Sequence, residues 1–187
     1  TSWKNTYFGR FLEKEKRKKW QKKEILQIGA LKIDQNYKIK NSLEIIVKPK
    51  INKKLSEHMI KLTTLTDKII EREGISFLDA FIKLKKFAKK TFVFSNGHDG
   101  EILKKNLYYN NSKLKTVKVL DIKKTFENKY RIPKKYVSSP IIKTFFGYKF
   151  NPKKAHNALS DCKSVLIAMK KMNFDLKIIQ KKQFYLY

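Results

Sequence analysis

The chain has 187 residues, 41% of them hydrophobic, which is enough for one domain with a buried core. No apolar run approaches the roughly 18 residues needed to cross a bilayer, and the opening residues do not resemble a secretory signal. The formal net charge of +29 favours a polyanionic partner, with nucleic acid the first candidate.

The first quarter of the chain divides into a basic segment and two strands. Residues 1–23 mix lysine, arginine and aromatic residues without a clean period, which predicts either a loop that contacts phosphates or a disordered arm. Residues 24–33 and 42–49 are rich in β-branched residues, and Pro49 ends the second run. Because the link between them is short, we expect an antiparallel pair.

Helices follow these strands. Residues 53–72 predict helical pieces with a break, after which Thr66 or Asp67 could cap the next helix. Residues 75–90 place large apolar side chains three and four positions apart, which predicts an amphipathic helix.

The second half of the chain alternates strands and helices. We expect strands at 91–97 and 116–122 and helices at 98–109, 136–150 and 157–172. Gly147 favours a left-handed cap at the end of the 136–150 helix. This order of strands and helices predicts an α/β domain with a mixed sheet.

Three polar residues stand where regular structure begins or ends. Asp99 follows the strand at 91–97, and catalytic groups collect at such strand ends in α/β sheets, although aspartate there can also cap a helix. Asp161 falls in the first turn of the last helix, where a carboxylate also suits the helix dipole. His156 precedes that helix, and a lone histidine is often structural.

The spacing of these residues resembles two motifs of the DEDDh class of 3′–5′ exonucleases, the RNase T type. In "VFSNGHDGEIL", Asp99 is followed four positions later by the apolar Leu103. In "HNALSD", His156 precedes Asp161 by five positions, with the small Ala158 between them. The segments "EILQIGALKI", "VKPK" and "IKLTTLTDKII" match further features of the class, with Thr64 in place of a usual glycine.

The resemblance covers about residues 24–172 and implies an RNase H-like fold. We therefore expect a single exonuclease-like domain over 1–187, with a mixed five-stranded sheet flanked by helices and a C-terminal tail at 173–187. A single cysteine, Cys162, excludes an internal disulfide and a multi-cysteine zinc site. It favours a reducing, cytoplasmic setting.

The resemblance also implies the roles of the site residues. Asp99 and Asp161 would be metal ligands, and His156 would be the general base. Hydrolysis of a phosphodiester with two Mg²⁺ or Mn²⁺ ions requires hard oxygen ligands of this kind.

The first motif of the class, Asp-x-Glu on the central strand, cannot be found. Thr1 resembles the position just beyond that motif, and the only internal substitute is Glu13 with Glu15. We expect residues before Thr1, or another segment or subunit, to fill the slot of the central strand. Without them the chain should hydrolyse nucleic acid poorly, and the unpaired strand edges should destabilise it.

Substrate contacts follow by analogy with the class. Thr63 and Leu65 would pack against the terminal nucleotide, Ser95 and Asn96 would flank the catalytic turn, and Lys154 would meet a phosphate. The expected substrates are single-stranded or frayed 3′ ends of RNA or DNA. A homodimer is conceivable because dimers occur in the class, and no membrane partner is expected.

Two other functions compete with the exonuclease. The chain could be a catalytically inactive nucleic-acid-binding or assembly subunit that keeps the fold without the first motif. It could also be a small basic structural protein of a ribonucleoprotein. Part of the positive charge can instead reflect an AT-rich genome, since lysine far outnumbers arginine.

Overall fold

The computed structural model describes residues 23–89, 91–152 and 154–177. Thr1, Glu13 and Glu15 lie outside these ranges, as does nearly all of the basic segment at 1–23. No helix within the described ranges has the length and apolar character needed to cross a membrane.

The two predicted N-terminal strands are present and antiparallel. Strand β1 (Gln27–Ile33) pairs with β2 (Ile39–Ile46), with Gln27 opposite Ile46, and the register shifts after Lys32. The inward-facing side chains of this hairpin pack against the third helix and contribute to the main hydrophobic core. The prediction of an antiparallel pair is confirmed.

Three helices follow the hairpin, and each begins at a side-chain cap. They are α1 (Glu57–Thr63), α2 (Asp67–Glu73) and α3 (Phe77–Phe87). The hydroxyls of Ser56, Thr66 and Ser76 each accept a hydrogen bond from the backbone amide three residues later. Of the two predicted cap residues for α2, the cap is therefore Thr66.

The break between α1 and α2 depends on a left-handed residue. Thr64 ends α1 with φ 61°, and its amide donates to the carbonyl of Ile60. A β-branched residue is strained there, whereas glycine, the residue that the resemblance implies at this position, would not be.

We expect Thr64→Gly to raise the free energy of unfolding by about 0.5–1 kcal/mol, because glycine adopts positive φ without strain. The same substitution at Thr66, where φ is −113°, should instead lower stability by a few tenths of a kcal/mol, since it removes a cap hydroxyl. Urea unfolding midpoints of both variants test this, and equal shifts of one sign would contradict it.

The second half of the described chain is less regular than predicted. It comprises β3 (Phe94–Ser95), α4 (Asp99–Tyr109), β4 (Leu120–Asp121), α5 (Lys123–Asn128), a 3₁₀ helix (Ile142–Phe146) and α6 (Ala158–Lys171). Strands β3 and β4 pair in parallel over two residues each. The strands expected at 91–97 and 116–122 are thus reduced to two residues each.

The predicted helix over 136–150 is wrong, and helix α5 was not predicted. Pro140 lacks a backbone donor and disfavours helical geometry at Ser139, so only the short 3₁₀ helix forms beyond it. That helix ends at Gly147 with φ 82°, which confirms the predicted left-handed cap.

The four described strands form two separate two-stranded sheets rather than one. Helix α6 packs tightly against β1 because Gly29 has no side chain. A Cβ at Gly29 would lie 2.4 Å from the carbonyl carbon of Ala158. The architecture is a mixed α/β fold, as expected, with an opening between its two sheets.

Candidate active site

A groove separates the two sheets and carries the predicted catalytic residues. It has a volume of about 730 Å³ and is lined by β1, by residues 91–99 and by α4 and α6. Most of its wall is apolar. Asp99, His156 and Asp161 all line it, so the structure brings Asp99 together with two residues about sixty positions later in the sequence.

Asp161 is the most constrained of these residues. Its side chain is only 3% exposed, and its Oδ1 accepts a hydrogen bond from the backbone amide of His156 at 3.3 Å. Its Oδ2 is buried and has no hydrogen-bond partner. Burial, with a smaller contribution from the negative charge of Asp99, raises the pKa of Asp161 to about 7. The charge of Asp99 therefore influences the protonation of Asp161.

Asp99 is placed by the turn that follows β3. The N-cap position of α4 is His98, so Asp99 is the first helical residue and not its cap. Gly97, with φ 140°, makes the turn, and its amide donates to Oδ1 of Asp121 at 3.0 Å. The same oxygen accepts from the amide of Lys123 at 2.8 Å. Asp121 thus ties the turn that carries Asp99 to the end of β4.

His156 adopts an unusual backbone conformation. Its φ is 68°, in the left-handed region where histidine is among the more tolerated residues. The ring is half-buried, and burial lowers its pKa, with the charge of His58 lowering it further. The imidazole is therefore neutral near pH 7 and able to accept a proton.

A polar network fixes the N-terminus of α6 on the hairpin. Gln27, buried in β1, accepts from the amide of Ala158 at 2.9 Å and donates to Glu44 at 3.0 Å. Glu44 also accepts from Asn157 at 2.7 Å, and the Asn157 side chain caps the amide of Ser160. This network holds the turn between His156 and Asp161 against the edge of the groove.

Ser95 and Asn96 lie in the groove, as predicted for residues that flank the catalytic turn. The Ser95 hydroxyl donates to the carbonyl of Gly97, and the Asn96 amide donates to Val137 at 2.7 Å and to Ser139 at 3.2 Å. The Asn96 Oδ1 is buried and has no hydrogen-bond partner, so it can accept a bond from a ligand. Their role in substrate binding stays a prediction.

Thr63 and Leu65 do not lie in that groove. Thr63 is buried, and its hydroxyl donates to the carbonyl of Met59 and accepts from the amide of Leu65. Leu65 packs in a hydrophobic cluster and reaches a second cavity, which it lines together with Thr64. A nucleotide contact through the Thr63 hydroxyl would require this local pairing to break. Lys154 is exposed, and its predicted phosphate contact stays a prediction.

Sequence reasoning missed several residues that build the site. Asp121 ends a strand just as Asp99 follows one, so the same positional rule could have found it. Gln27 and Glu44 had a weaker signal, which is a polar residue inside an otherwise apolar strand.

The carboxylates in the groove supply part of the ligand set that a hard divalent cation needs. Among the described residues, no group of three or more histidine, cysteine, aspartate or glutamate side chains could hold a metal ion. However, Mg²⁺ is commonly bound by one or two carboxylates together with water and substrate phosphates. The unpartnered Oδ2 of Asp161, beside Asp99, matches the protein's share of such a site.

Comparison with known proteins assigns the class. The family model described as RNase_T, an exonuclease, matches residues 14–169. The chain therefore belongs to the RNase T exonuclease family. No curated protein matches the chain significantly.

Solved structures agree on the fold. The nuclease domain of 3'hExo, a DEDDh family member bound to rAMP, is 21% identical with a TM-score of 0.69, covering 80% of each chain. A 3'-exonuclease that recognises the histone mRNA stem-loop is 22% identical with a TM-score of 0.69, covering 85% of this chain and 76% of that one. Cell-death related nuclease 4 is 16% identical with a TM-score of 0.67, and the match covers 81% of this chain and 57% of that one.

The raised pKa of Asp161 predicts a pH dependence of stability in the metal-free protein. A carboxyl whose pKa rises from 3.8 to about 7 on folding stabilises the protein below pH 4, and this contribution is lost as pH rises to 7. We expect the stability difference between Asp161→Asn and the wild type to grow by about 3 kcal/mol from pH 5 to pH 8.

The comparison with Asp161→Asn separates this carboxyl from His156, whose lowered pKa acts in the opposite direction. A lowered histidine pKa costs stability as pH falls below 6.5. Urea unfolding in EDTA at several pH values measures the difference. A difference that is the same at pH 5 and pH 8 would contradict the prediction.

Proposed function

We propose that the protein is a metal-dependent 3′–5′ exonuclease that hydrolyses phosphodiester bonds at the ends of RNA or DNA. The observation that carries this proposal is the buried, unpartnered Oδ2 of Asp161, which faces the same groove as Asp99. A carboxylate left in this state costs stability unless a cation or a proton occupies it. Buried carboxylates that lower the stability of the protein in this way are found mainly at catalytic sites.

Asp99 and Asp161 would hold a divalent cation, either Mg²⁺ or Mn²⁺, with a second ion needing further ligands. A cation bound there supplies positive charge beside the scissile phosphate. His156, neutral near pH 7, accepts the proton of the attacking water as the new P–O bond forms. The bond to the leaving 3′ oxygen then breaks, which releases a nucleotide and a chain shortened by one unit.

Two kinds of observation support nucleic acid as the substrate. One structural relative is described as bound to rAMP and another as recognising the 3′ end of an mRNA stem-loop. The net charge of +29 also supports binding to a polyanion with strong salt dependence. The homodimer and the cytoplasmic setting stay predictions, and sedimentation of the purified protein tests the first of them.

The direction of cleavage and its metal dependence are tested together. Single-stranded oligonucleotides labelled at the 5′ or the 3′ end are incubated with Mn²⁺ or with EDTA. We expect the 5′-labelled strand to shorten stepwise and the 3′ label to be released first as a mononucleotide, only with Mn²⁺. Loss of the 5′ label first, or internal cleavage, would overturn the proposed direction.

A non-catalytic nucleic-acid-binding or assembly subunit is the second candidate. The observation that favours it is that, among the described residues, no group of three or more histidine, cysteine, aspartate or glutamate side chains could hold a metal ion. Salt-sensitive binding of an oligonucleotide without any shortening in Mn²⁺ would support this function over the first.

A further inference from the structure

A second surface beside the groove combines exposed aromatic rings with basic side chains. We call it the aromatic platform and define it as Tyr136, Phe145, Tyr148 and Phe150 with Lys135 and Lys149. Phe145, Tyr148 and Phe150 are 41%, 40% and 47% exposed, although large apolar side chains are normally buried. All three come from a stretch of six residues, so these exposed rings are concentrated in one segment of the chain and are not scattered over it.

Three rings of the platform, those of Tyr136, Phe145 and Tyr148, contact another ring or a lysine. The ring of Phe145 lies 5.7 Å from that of Tyr136. The Lys135 ammonium lies 5.0 Å from the centre of the Tyr136 ring, and the Lys171 ammonium lies 6.0 Å from that of Tyr148. These contacts orient the rings but leave a large part of each exposed.

The charge of this region has one sign. Residues 129–160 contain no aspartate or glutamate but eight basic residues, which are Lys129, Arg131, Lys134, Lys135, Lys143, Lys149, Lys153 and Lys154. Lys129 pairs with Asp175 at 3.9 Å, but the segment itself carries only positive charge, and such a segment attracts a phosphate backbone. Exposed rings within it offer faces on which unpaired bases stack, and this combination is typical of surfaces that bind single strands.

The platform is connected to the groove at both ends. Upstream of the rings, Val137 and Ser139 accept hydrogen bonds from Asn96 beside the catalytic turn. Downstream, a turn closed by the Ala155 amide on the Asn151 carbonyl, at 2.9 Å, leads directly to His156. A strand lying on the platform would therefore have its end close to the candidate active site.

We propose that the aromatic platform binds single-stranded nucleic acid by stacking unpaired bases on Tyr148 and Phe150. This inference deepens the proposed function and rests on it for its purpose, because stacking would select unpaired strands and present their 3′ ends to the groove. The binding itself requires neither a metal ion nor hydrolysis.

Fluorescence anisotropy in EDTA tests the platform with two probes, a short oligothymidylate and an abasic oligomer of equal length. The double variant Tyr148→Leu, Phe150→Leu should weaken oligothymidylate binding about tenfold or more and leave abasic binding within about twofold. Lys149→Gln should weaken both probes equally and lower the salt slope by about one. Tyr108→Leu, which changes a 77% exposed ring on α4, should change neither.

Three results would overturn the proposal. The double variant could bind oligothymidylate as tightly as the wild type does, or its affinity for both probes could fall by the same factor. The wild type could also sediment as a dimer and the double variant as a monomer. In that case the platform would be an interface between copies of this chain. Thermal unfolding of each variant confirms that it is folded before binding is measured.

The outcome also distinguishes the platform from the proposed function. If the wild type binds by stacking but never shortens an oligonucleotide in Mn²⁺, the exonuclease proposal fails and the platform stands. If the wild type shortens oligonucleotides while the double variant binds and cleaves them equally well, the platform fails and the exonuclease stands.

Discussion

Replacing Asp161 by asparagine should reduce metal-dependent shortening of a single-stranded oligonucleotide by about 10³-fold. The amide carries no charge to hold a cation beside the phosphate, yet it has nearly the same shape as the carboxylate. In the same variant, the metal-free protein should be more stable at pH 8 than the wild type, because a buried charge has been removed. Activity and stability should thus change in opposite directions.

The control for this variant is Asp175→Asn, which changes an exposed aspartate near the end of the described chain. It should leave the rate unchanged and alter the free energy of unfolding by less than about 1 kcal/mol, because its ion pair with Lys129 is exposed to solvent. Mn²⁺ should also raise the thermal unfolding temperature of the wild type at pH 8 and have little effect on Asp161→Asn. Activity of Asp161→Asn close to that of the wild type would remove Asp161 from the site.

Replacing His156 by asparagine should lower kcat about 10²- to 10⁴-fold, because no group would remain to accept the proton of the attacking water. Asparagine tolerates positive φ, so the backbone of the turn should be kept and the free energy of unfolding should change by less than about 1 kcal/mol. The loss should be in kcat rather than in KM, since the substrate contacts are not altered.

His156→Ala separates the chemistry from the backbone. It should lose the same catalytic factor and, in addition, about 1 kcal/mol of stability, because alanine is strained at φ 68°. Urea unfolding and initial rates in Mn²⁺ measure the two effects. If His156→Asn keeps most of the wild-type rate, the histidine is structural and another group accepts the proton.

The sequence by itself determined the parts of the molecule that depend on neighbouring residues. The hairpin of β1 and β2, the three capped helices and the amphipathic α6 follow from side-chain period and capping chemistry, which act over a few residues. The spacing of His156 and Asp161 likewise placed both at the start of one helix. The resemblance that these motifs carry to the DEDDh class is confirmed by the family match.

Only the tertiary structure decided how far the strands extend and which polar residues meet. Strands β3 and β4 shrink to two residues each because ladder pairing depends on partners distant in sequence, and β3 pairs with β4 alone among the described strands. The contact of Asp121 with the Asp99 turn depends in the same way on packing across the chain. The hydrogen-bond network of Gln27 also depends on this packing, as does the burial that raises the pKa of Asp161. No local pattern encodes such long-range contacts, because their energy comes from excluding water between segments that meet only after folding.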